Sequence, residues 1–252
     1  MTIDIQISET AGVRYLHFSS DWIQGAMRIA RPWTLELDYT REMMAALLLR
    51  PEANWPRRAL LIGLGAGSLA KFLHRHRPAA RIAVVELEPA VVAAARQYFR
   101  LPDEDERFRI VIAEGAEFVA RAKGHYDLIM VDGYDEDART GMLDTEPFYL
   151  DARGRLGDDG LFVTNLLSNR RRDLRDSVAR LSGVFAGRAL AFPSCDSGNT
   201  VAFAAGGAPL DVTLEELREN ALALKRDSGL NLLPTVTRLA ASRTCRRNRL
   251  VL

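Results

Sequence analysis

The chain has 252 residues, of which 48% are hydrophobic and 27% charged, an ordinary composition for a globular protein. Its formal net charge of +1 gives no global reason to expect binding to nucleic acid or to an anionic membrane. No apolar run approaches the roughly 18 residues of a membrane span, and the first residues lack the pattern of a secretory signal. The two cysteines, Cys195 and Cys245, are far apart, so the sequence predicts a cytoplasmic protein with reduced thiols.

The N-terminal part of the chain predicts a small β region. The partly alternating runs 13–18 and 25–29 flank a turn-like segment at 19–21, an order typical of an antiparallel hairpin. We therefore expect a small β region over 1–35, followed by a larger domain over 36–252.

The larger domain is predicted to begin with a short helix and then to alternate between strands and helices. Thr40 stands where an N-cap is expected, before apolar residues at helical spacing, and Pro51 follows that helix. The predicted strands cover 59–63, 81–86, 108–112, 126–131 and 160–165. The predicted helices cover 67–76, 89–99, 115–122, 146–156 and 171–183. This alternation is typical of a doubly wound, mostly parallel sheet with helices on both faces.

Two features are predicted after this alternation. The runs 189–192 and 200–204 indicate an antiparallel hairpin at the edge of the sheet. Thr213 and Glu216 have the spacing of a capping box, which predicts a helix that reaches about Lys225.

A glycine-rich loop follows the first predicted strand of the larger domain. Gly63-Leu64-Gly65-Ala66-Gly67 fits the loop of S-adenosylmethionine-type transferases, whereas the segment from Gly65 to Ala70 also satisfies the dinucleotide pattern G-x-G-x-x-G/A. Glu86 lies about 20 residues further on, at the end of the second strand, where its carboxylate can accept from two ribose hydroxyls. Together they predict an adenosine-containing ligand and leave its class open.

Further acids follow the next strands of the predicted sheet. Glu114 comes after the third strand and could accept a hydrogen bond from an adenine amino group. Asp132 and Asp135 come after the fourth strand and would face the reacting centre. Because ligands of open parallel sheets bind outside the carboxyl ends of the strands, these acids and Glu86 are expected in one site.

No metal site or nucleic-acid site is predicted. His74 and His76 lie late in a helix, where cations interact favourably with the helix dipole. The arginines at 170–172 and in the C-terminal tail lack interleaved aromatic residues, so we interpret them as solvated surface.

Four segments of the chain resemble the spermidine synthase family of polyamine aminopropyltransferases, and the resemblance extends from about Gln24 to Ala204. The segments are Leu37–Met44 (LDYTREMM), Val85–Phe99 (VELEPAVVAAARQYF), Tyr126–Asp135 with its Asp-x-x-Asp ending, and Glu146–Tyr149 (EPFY).

The resemblance implies a Rossmann-like class I S-adenosylmethionine-type transferase fold behind a small N-terminal β region, usually in a homodimer. It implies transfer of an aminopropyl group from decarboxylated S-adenosylmethionine to a small-molecule amine, with no metal. The implied cofactor-binding residues are Gly63, Gly65, Gly67, Glu86, Leu87, Glu114, Gly115 and Asp132. The implied catalytic residues are Asp132, Asp135 and Tyr39, and the candidate substrate-binding residues are Gln24, Tyr39, Arg41, Tyr134 and Asp135.

Three departures from the family pattern bear on the substrates. Ala66 stands where the family's glycine loop carries an aspartate, which makes intact S-adenosylmethionine admissible. Thr40 and Arg41 follow Tyr39 in place of an expected glutamine, and an inward Arg41 would disfavour a diamine. The family's tyrosine-rich C-terminal stretch is not recognisable in residues 228–241.

The sequence therefore leaves three functions open. The first hypothesis is an aminopropyltransferase, and the second is a methyltransferase that uses intact S-adenosylmethionine. The third is a member that binds a nucleoside without turnover. An NAD-dependent oxidoreductase ranks last, because no hydride-transfer constellation is visible.

Overall fold

The structure is a computed structural model that describes residues 4–18, 23–133, 141–167, 171–196, 198–242 and 244–252. The predicted turn at 19–21 lies outside these ranges. Among the described residues, no helix is both long enough and apolar enough to cross a membrane.

The N-terminal region forms a small antiparallel sheet. Its strands, in spatial order, are β1 (Ile5–Thr10), β2 (Val13–Phe18) and β3 (Ile23–Arg28). The predicted hairpin is the β2–β3 pair. The sequence did not indicate β1, because that strand is mostly exposed and has only Ile5 and Ile7 as apolar residues.

The central sheet has the predicted doubly wound, mostly parallel architecture. Its described strands are β4 (Arg58–Ile62), β5 (Arg81–Glu86), β6 (Phe108–Ile112), β7 (Tyr126–Val131), β8 (Leu156–Leu167), β9 (Ala189–Ala191) and β10 (Asn199–Ala205). They lie in the order β6-β5-β4-β7-β8-β10-β9, and β10 runs antiparallel to both of its neighbours. Strands β5 and β6 are thus added on one side of β4, whereas β7 and the later strands are added on its other side. Ligands of such sheets bind at this reversal of strand order, between β4 and β7.

Helices cover both faces of the central sheet. The described α-helices are α1 (Asp38–Met43), α2 (Ala46–Leu49), α3 (Ser68–His76), α4 (Pro89–Tyr98), α5 (Gly115–Arg121), α6 (Glu146–Gly154), α7 (Arg171–Val184), α8 (Leu214–Ser228) and α9 (Leu233–Ala241). A 3-10 helix spans Gly141–Asp144, and a small sheet pairs β11 (Asp211–Thr213) with β12 (Arg249–Val251).

Successive strand residues point to opposite faces, so the sheet separates two hydrophobic clusters. Leu61 packs on the face covered by α1 to α4, α8, α9 and the small N-terminal sheet. Leu60 packs on the face covered by α5, α6 and α7. The nearly uninterrupted apolar strands of the sequence are explained by this two-sided burial.

Local predictions had mixed outcomes. The capping box of α8 is confirmed, since the Glu216 N–H donates to Thr213 Oγ1 at 3.1 Å and the Thr213 N–H donates to the Glu216 carboxylate at 2.8 Å. The prediction of Thr40 as an N-cap is wrong. Helix α1 begins at Asp38 with Leu37 as its N-cap, and the buried Thr40 hydroxyl donates to the Leu37 carbonyl at 2.6 Å.

The boundary between 1–35 and 36–252 as separate domains stays a prediction. Leu16, Phe18 and Met27 of the small sheet pack in the same hydrophobic cluster as residues of β4 and α3. The small sheet therefore lies directly against the larger unit, next to its glycine loop.

Candidate active site

A cavity of about 830 Å³ opens at the carboxyl ends of β4, β5 and β7, where the small sheet meets the central one. Most of the predicted site residues line it: Gln24, Tyr39, Gly63, Gly65, Glu86, Leu87, Glu114, Gly115 and Asp132. Residues from segments far apart in sequence are therefore brought into one space.

The glycine loop after β4 has a backbone that side chains would obstruct. Gly63, Gly65 and Gly67 have φ values of 93°, 50° and 70°, which L side chains rarely adopt. A Cβ on Gly63 would lie 2.2 Å from the Asp132 carbonyl oxygen, and one on Gly65 would lie 2.8 Å from the Gln24 carbonyl oxygen. Positions 63 and 65 therefore have to be glycine for the loop to pass between β7 and the small sheet.

Ala66, in the middle of this loop, is buried against the small sheet. A Cβ on Gly25 of β3 would lie 2.6 Å from the Ala66 Cβ and 2.7 Å from its backbone nitrogen. The two backbones approach closely here, and residue 66 adds no carboxylate to the cavity.

Glu86 at the end of β5 is buried and holds the loop in place. Its carboxylate accepts from the backbone N–H groups of Leu64 and Glu88, each at 2.9 Å. Burial raises the pKa of Glu86, and these backbone donors oppose that rise. Because an ionised carboxylate offers about four lone pairs, Glu86 keeps acceptor capacity for two vicinal hydroxyls.

Glu114 and Gly115 form the cavity wall at the start of α5. Glu114 is the N-cap of that helix, and its carboxylate accepts from the Glu117 N–H at 2.7 Å. A Cβ on Gly115 would lie 2.5 Å from Ile62 Cγ2, so α5 begins in tight contact with β4.

Asp132 at the end of β7 is enclosed by two side chains that donate to it. Asn165 Nδ2 donates to Asp132 Oδ1 at 3.1 Å, and the Tyr39 hydroxyl also hydrogen-bonds to the carboxylate. Burial raises the pKa of Asp132, and both hydrogen bonds oppose the rise. A carboxylate with a raised pKa accepts a proton more readily, which suits a general base.

Some predicted residues lie elsewhere. Arg41 is directed away from the cavity, because its guanidinium pairs with Asp38 at 2.7 Å and donates to two backbone carbonyls. Gly67 turns the chain into α3 and lies outside the cavity lining, where a Cβ would meet Leu101 at 2.6 Å. Tyr134 and Asp135 fall outside the described residues, so their roles stay predictions.

Sequence reasoning missed two parts of the site. Asn165 contacts Asp132 from β8, and the one available indication was a polar residue inside the apolar run 161–166. Met142 and Leu143 of the 3-10 helix also line the cavity, where Leu143 lies near Gly115 and Gly133. Nothing in the sequence around them marked these two residues as part of a ligand site.

The prediction that the site holds no metal stays a prediction. Within the described ranges, no group of three or more His, Cys, Asp or Glu side chains is arranged to hold a metal ion.

The fold and the cavity define a class of protein, the Rossmann-like transferases that use S-adenosylmethionine-type ligands. Human methyltransferase-like protein 13, solved in complex with SAH, is similar with a TM-score of 0.68 and 25% identity, covering 77% of this chain and 93% of that one. A spermidine synthase solved in complex with the transition state analogue AdoDATO is similar with a TM-score of 0.59 and 27% identity, covering 82% of this chain and 74% of that one.

Sequence comparison then gives the family. The profile of the spermine/spermidine synthase domain matches residues 37–186. A polyamine aminopropyltransferase of Neisseria meningitidis is 37% identical over 239 residues, which cover 95% of this chain and 90% of that protein. The chain belongs to the spermine/spermidine synthase family, and the predicted resemblance and fold class are confirmed.

Proposed function

We propose that this chain is an aminopropyltransferase, which moves an aminopropyl group from decarboxylated S-adenosylmethionine to a small-molecule amine. The observation that carries the proposal is the buried Asp132 carboxylate, which lies in the same cavity as Glu86 and is held by Tyr39 and Asn165. Relatives that are 37–38% identical to this chain are named polyamine aminopropyltransferases, which supports the same reaction.

The chemistry needs a proton acceptor at this position. An alkylamine is mostly protonated at neutral pH and must lose a proton before its nitrogen can attack carbon. In the proposed reaction, Asp132 accepts that proton, and the nitrogen lone pair that is thereby freed forms the new N–C bond. The C–S bond breaks at the same carbon, its electron pair stays on sulfur, and methylthioadenosine leaves as a neutral thioether.

The cavity residues fit the nucleoside part of the co-substrate. The Glu86 carboxylate would bind the ribose hydroxyls, and Glu114 would accept from the adenine amino group. Leu87, an exposed apolar side chain at the cavity, would contact the adenine ring.

A methyltransferase that uses intact S-adenosylmethionine is the second candidate. Ala66 favours it, because the glycine loop carries no carboxylate that would repel the methionine carboxylate. The likeness to human methyltransferase-like protein 13 points in the same direction.

We further propose that the protein works as a cytoplasmic homodimer without a metal. The usual assembly of the resembling family supports the dimer. The two cysteines, Cys195 and Cys245, are free thiols, which fits a reducing compartment.

The variant Asp132→Asn tests whether Asp132 is needed for turnover but not for binding of the nucleoside. Because the amide cannot accept the amine proton, we expect turnover to fall by at least about 100-fold while affinity for the nucleoside stays within a few-fold of wild type. Calorimetry with decarboxylated and intact S-adenosylmethionine, beside an amine-transfer assay, checks both quantities. Asp103→Asn, at an exposed carboxylate, is the matched control. Full activity of Asp132→Asn would refute the catalytic assignment, and a clear preference for intact S-adenosylmethionine would favour the methyltransferase.

A further inference from the structure

A chain of side chains continues behind Asp132, away from the cavity. Asn165 Nδ2, on β8, donates both to Asp132 Oδ1 at 3.1 Å and to Asn199 Oδ1 at 2.9 Å. Asn199 Nδ2, on β10, donates to Asp196 Oδ1 at 2.9 Å, and the Asn199 backbone N–H donates to the same oxygen at 3.1 Å. Four side chains, which lie in or next to the strands β7, β8 and β10, are thus linked from Asp132 to Asp196.

The hydrogen bonds in this chain diverge from Asn165, which donates on one side to Asp132 and on the other to Asn199, and Asn199 donates in turn to Asp196. A side-chain amide has donors on its nitrogen and acceptors on its oxygen, and a rotation by 180° exchanges them. Rotation of Asn199 would place its carbonyl oxygen against the Asp196 carboxylate and its NH₂ group against the NH₂ group of Asn165. Rotation of Asn165 would place its carbonyl oxygen against Asp132. Asp196 therefore fixes Asn199, and Asn199 fixes Asn165 with its NH₂ group toward Asp132.

The surroundings leave Asn165 little freedom to move. It is 3% exposed, and β8 is paired with β7 on one side and with β10 on the other. Tyr39 approaches Asp132 from α1 and is the titratable side chain that contacts it among the described residues. Asp132 is thus held by donors from two separate elements.

We propose that Asn165 is a positioning residue for the transfer reaction, which fixes the Asp132 carboxylate as a hydrogen-bond acceptor, while Asn199 and Asp196 fix Asn165. The proposal rests on the proposed function, because it takes Asp132 as the group that accepts the amine proton. It also identifies the donors that favour the ionised form of this buried carboxylate. Hydrogen bonds to the charged form favour that form, and burial alone would favour the neutral one.

The first experiment measures the pKa of Asp132 in the absence of substrate. Carbon-13 NMR of protein labelled at the aspartate carboxyl carbons follows the titration of Asp132, and Asp132→Asn identifies its resonance. Asn165→Leu removes both donated hydrogen bonds at similar volume, so the pKa of Asp132 should rise relative to wild type. Thr164→Val changes the preceding residue of the same strand, whose side chain points to the opposite face, and should leave that pKa unchanged.

The second experiment measures the rate of aminopropyl transfer and its dependence on pH. In Asn165→Leu we expect kcat to fall about 10- to 100-fold, with unchanged affinity for methylthioadenosine and an acidic limb of the pH–rate profile displaced to higher pH. Asn165→Gln keeps the donor and should recover part of the rate. Asn199→Val leaves Asp132 and Asn165 in place and should displace the profile in the same direction by a smaller amount.

The outcomes separate this proposal from the proposed function. An unchanged pKa of Asp132 in both Asn165→Leu and Asn199→Val would overturn the positioning role, whatever the wild-type enzyme catalyses. If Asn165→Leu does not fold, Asn199→Val decides the question. A displaced pKa together with no aminopropyl transfer by the wild-type protein would leave the positioning of Asp132 intact and refute the proposed function instead.

Discussion

At the scale of single residues, the site has two buried carboxylates, Glu86 and Asp132, whose hydrogen-bond partners suit them to different roles. Glu86 accepts from two backbone N–H groups, which hold it rigidly beside the glycine loop. Asp132 accepts from the side chains of Asn165 and Tyr39, and burial raises its pKa. The first arrangement suits ligand binding, and the second suits proton transfer.

Glu86→Gln tests the binding task. The amide replaces one acceptor oxygen with a donor, which would face a backbone N–H group and could not serve both ribose hydroxyls. Hydrogen bonds to a charged group contribute about 1.5–3 kcal/mol, so we expect affinity for methylthioadenosine to fall about 10- to 100-fold. Calorimetry measures this affinity, with Glu117→Gln on the exposed surface of α5 as the control. Unchanged affinity in Glu86→Gln would show that Glu86 serves only the loop.

At the scale of elements, the side chain of Asp144 attaches the 3-10 helix over Gly141–Asp144 to two α-helices. Asp144 accepts from the hydroxyl of Tyr149 at 2.7 Å, the hydroxyl of Ser177 at 2.6 Å and the guanidinium of Arg180 at 2.7 Å. Tyr149 lies on α6, and Ser177 and Arg180 lie on α7. The segment that brings Met142 and Leu143 to the cavity is thereby attached to both helices.

The substitution Asp144→Ala should remove the attachment of the 3-10 helix to α6 and α7. Its three donors would lose their acceptor, and we expect a loss of about 2–4 kcal/mol in the free energy of unfolding, together with a several-fold lower affinity for methylthioadenosine. Denaturant unfolding and calorimetry measure the two effects. Asp176→Ala, on the exposed side of α7, is the matched control. Weakened stability with full affinity would mean that Asp144 supports α6 and α7 without shaping the cavity.

The elements that the sequence predicted differ physically from those that it did not. Strands β4, β5 and β7 are buried on both faces, so their apolar runs stood out. Strand β1 is mostly exposed, and β11 and β12 have three residues each, too few for a periodic pattern. Helix α9 was not predicted, and its start, Leu233-Pro234, has no side-chain cap. Asn165 became a site residue only when β8 was placed beside β7, a contact that no local pattern encodes.

At the scale of the whole molecule, the sequence predicted the architecture better than the substrates. The order of strands and helices and the acids at the strand ends identified the fold and the cavity. The part of the cavity that would meet the amine includes Tyr39 and Asp132, which come together only through tertiary structure. Ala66 is an isolated departure, whose effect on ligand choice needs a measurement.

Stability of the whole chain should depend on the protonation of Lys71. This residue of α3 is 1% exposed, its Nζ donates to the Phe99 carbonyl at 2.7 Å, and burial lowers its pKa to about 7. An unfolded lysine has a pKa of about 10.4, so between these values the unfolded chain binds more protons than the folded one. The contribution of Lys71 to the free energy of unfolding should therefore rise with pH from about 7 to about 10.

Lys71→Met removes this dependence. The free energy of unfolding of the wild type, relative to Lys71→Met, should increase between pH 6.5 and pH 9.5, as chemical denaturation at several pH values would show. Lys123→Met, at an exposed lysine, should run parallel to the wild type. Equal pH dependence in the wild type and Lys71→Met would mean that Lys71 titrates alike in the folded and unfolded states.

The most direct test of the central claim is the identity of the nucleoside product. The full chain would be incubated with decarboxylated S-adenosylmethionine and a panel of amines, and in parallel with intact S-adenosylmethionine, followed by mass spectrometry of the products. We predict methylthioadenosine together with an amine that carries one additional aminopropyl group. Formation of S-adenosylhomocysteine from the intact compound, without methylthioadenosine from the decarboxylated one, would contradict the account.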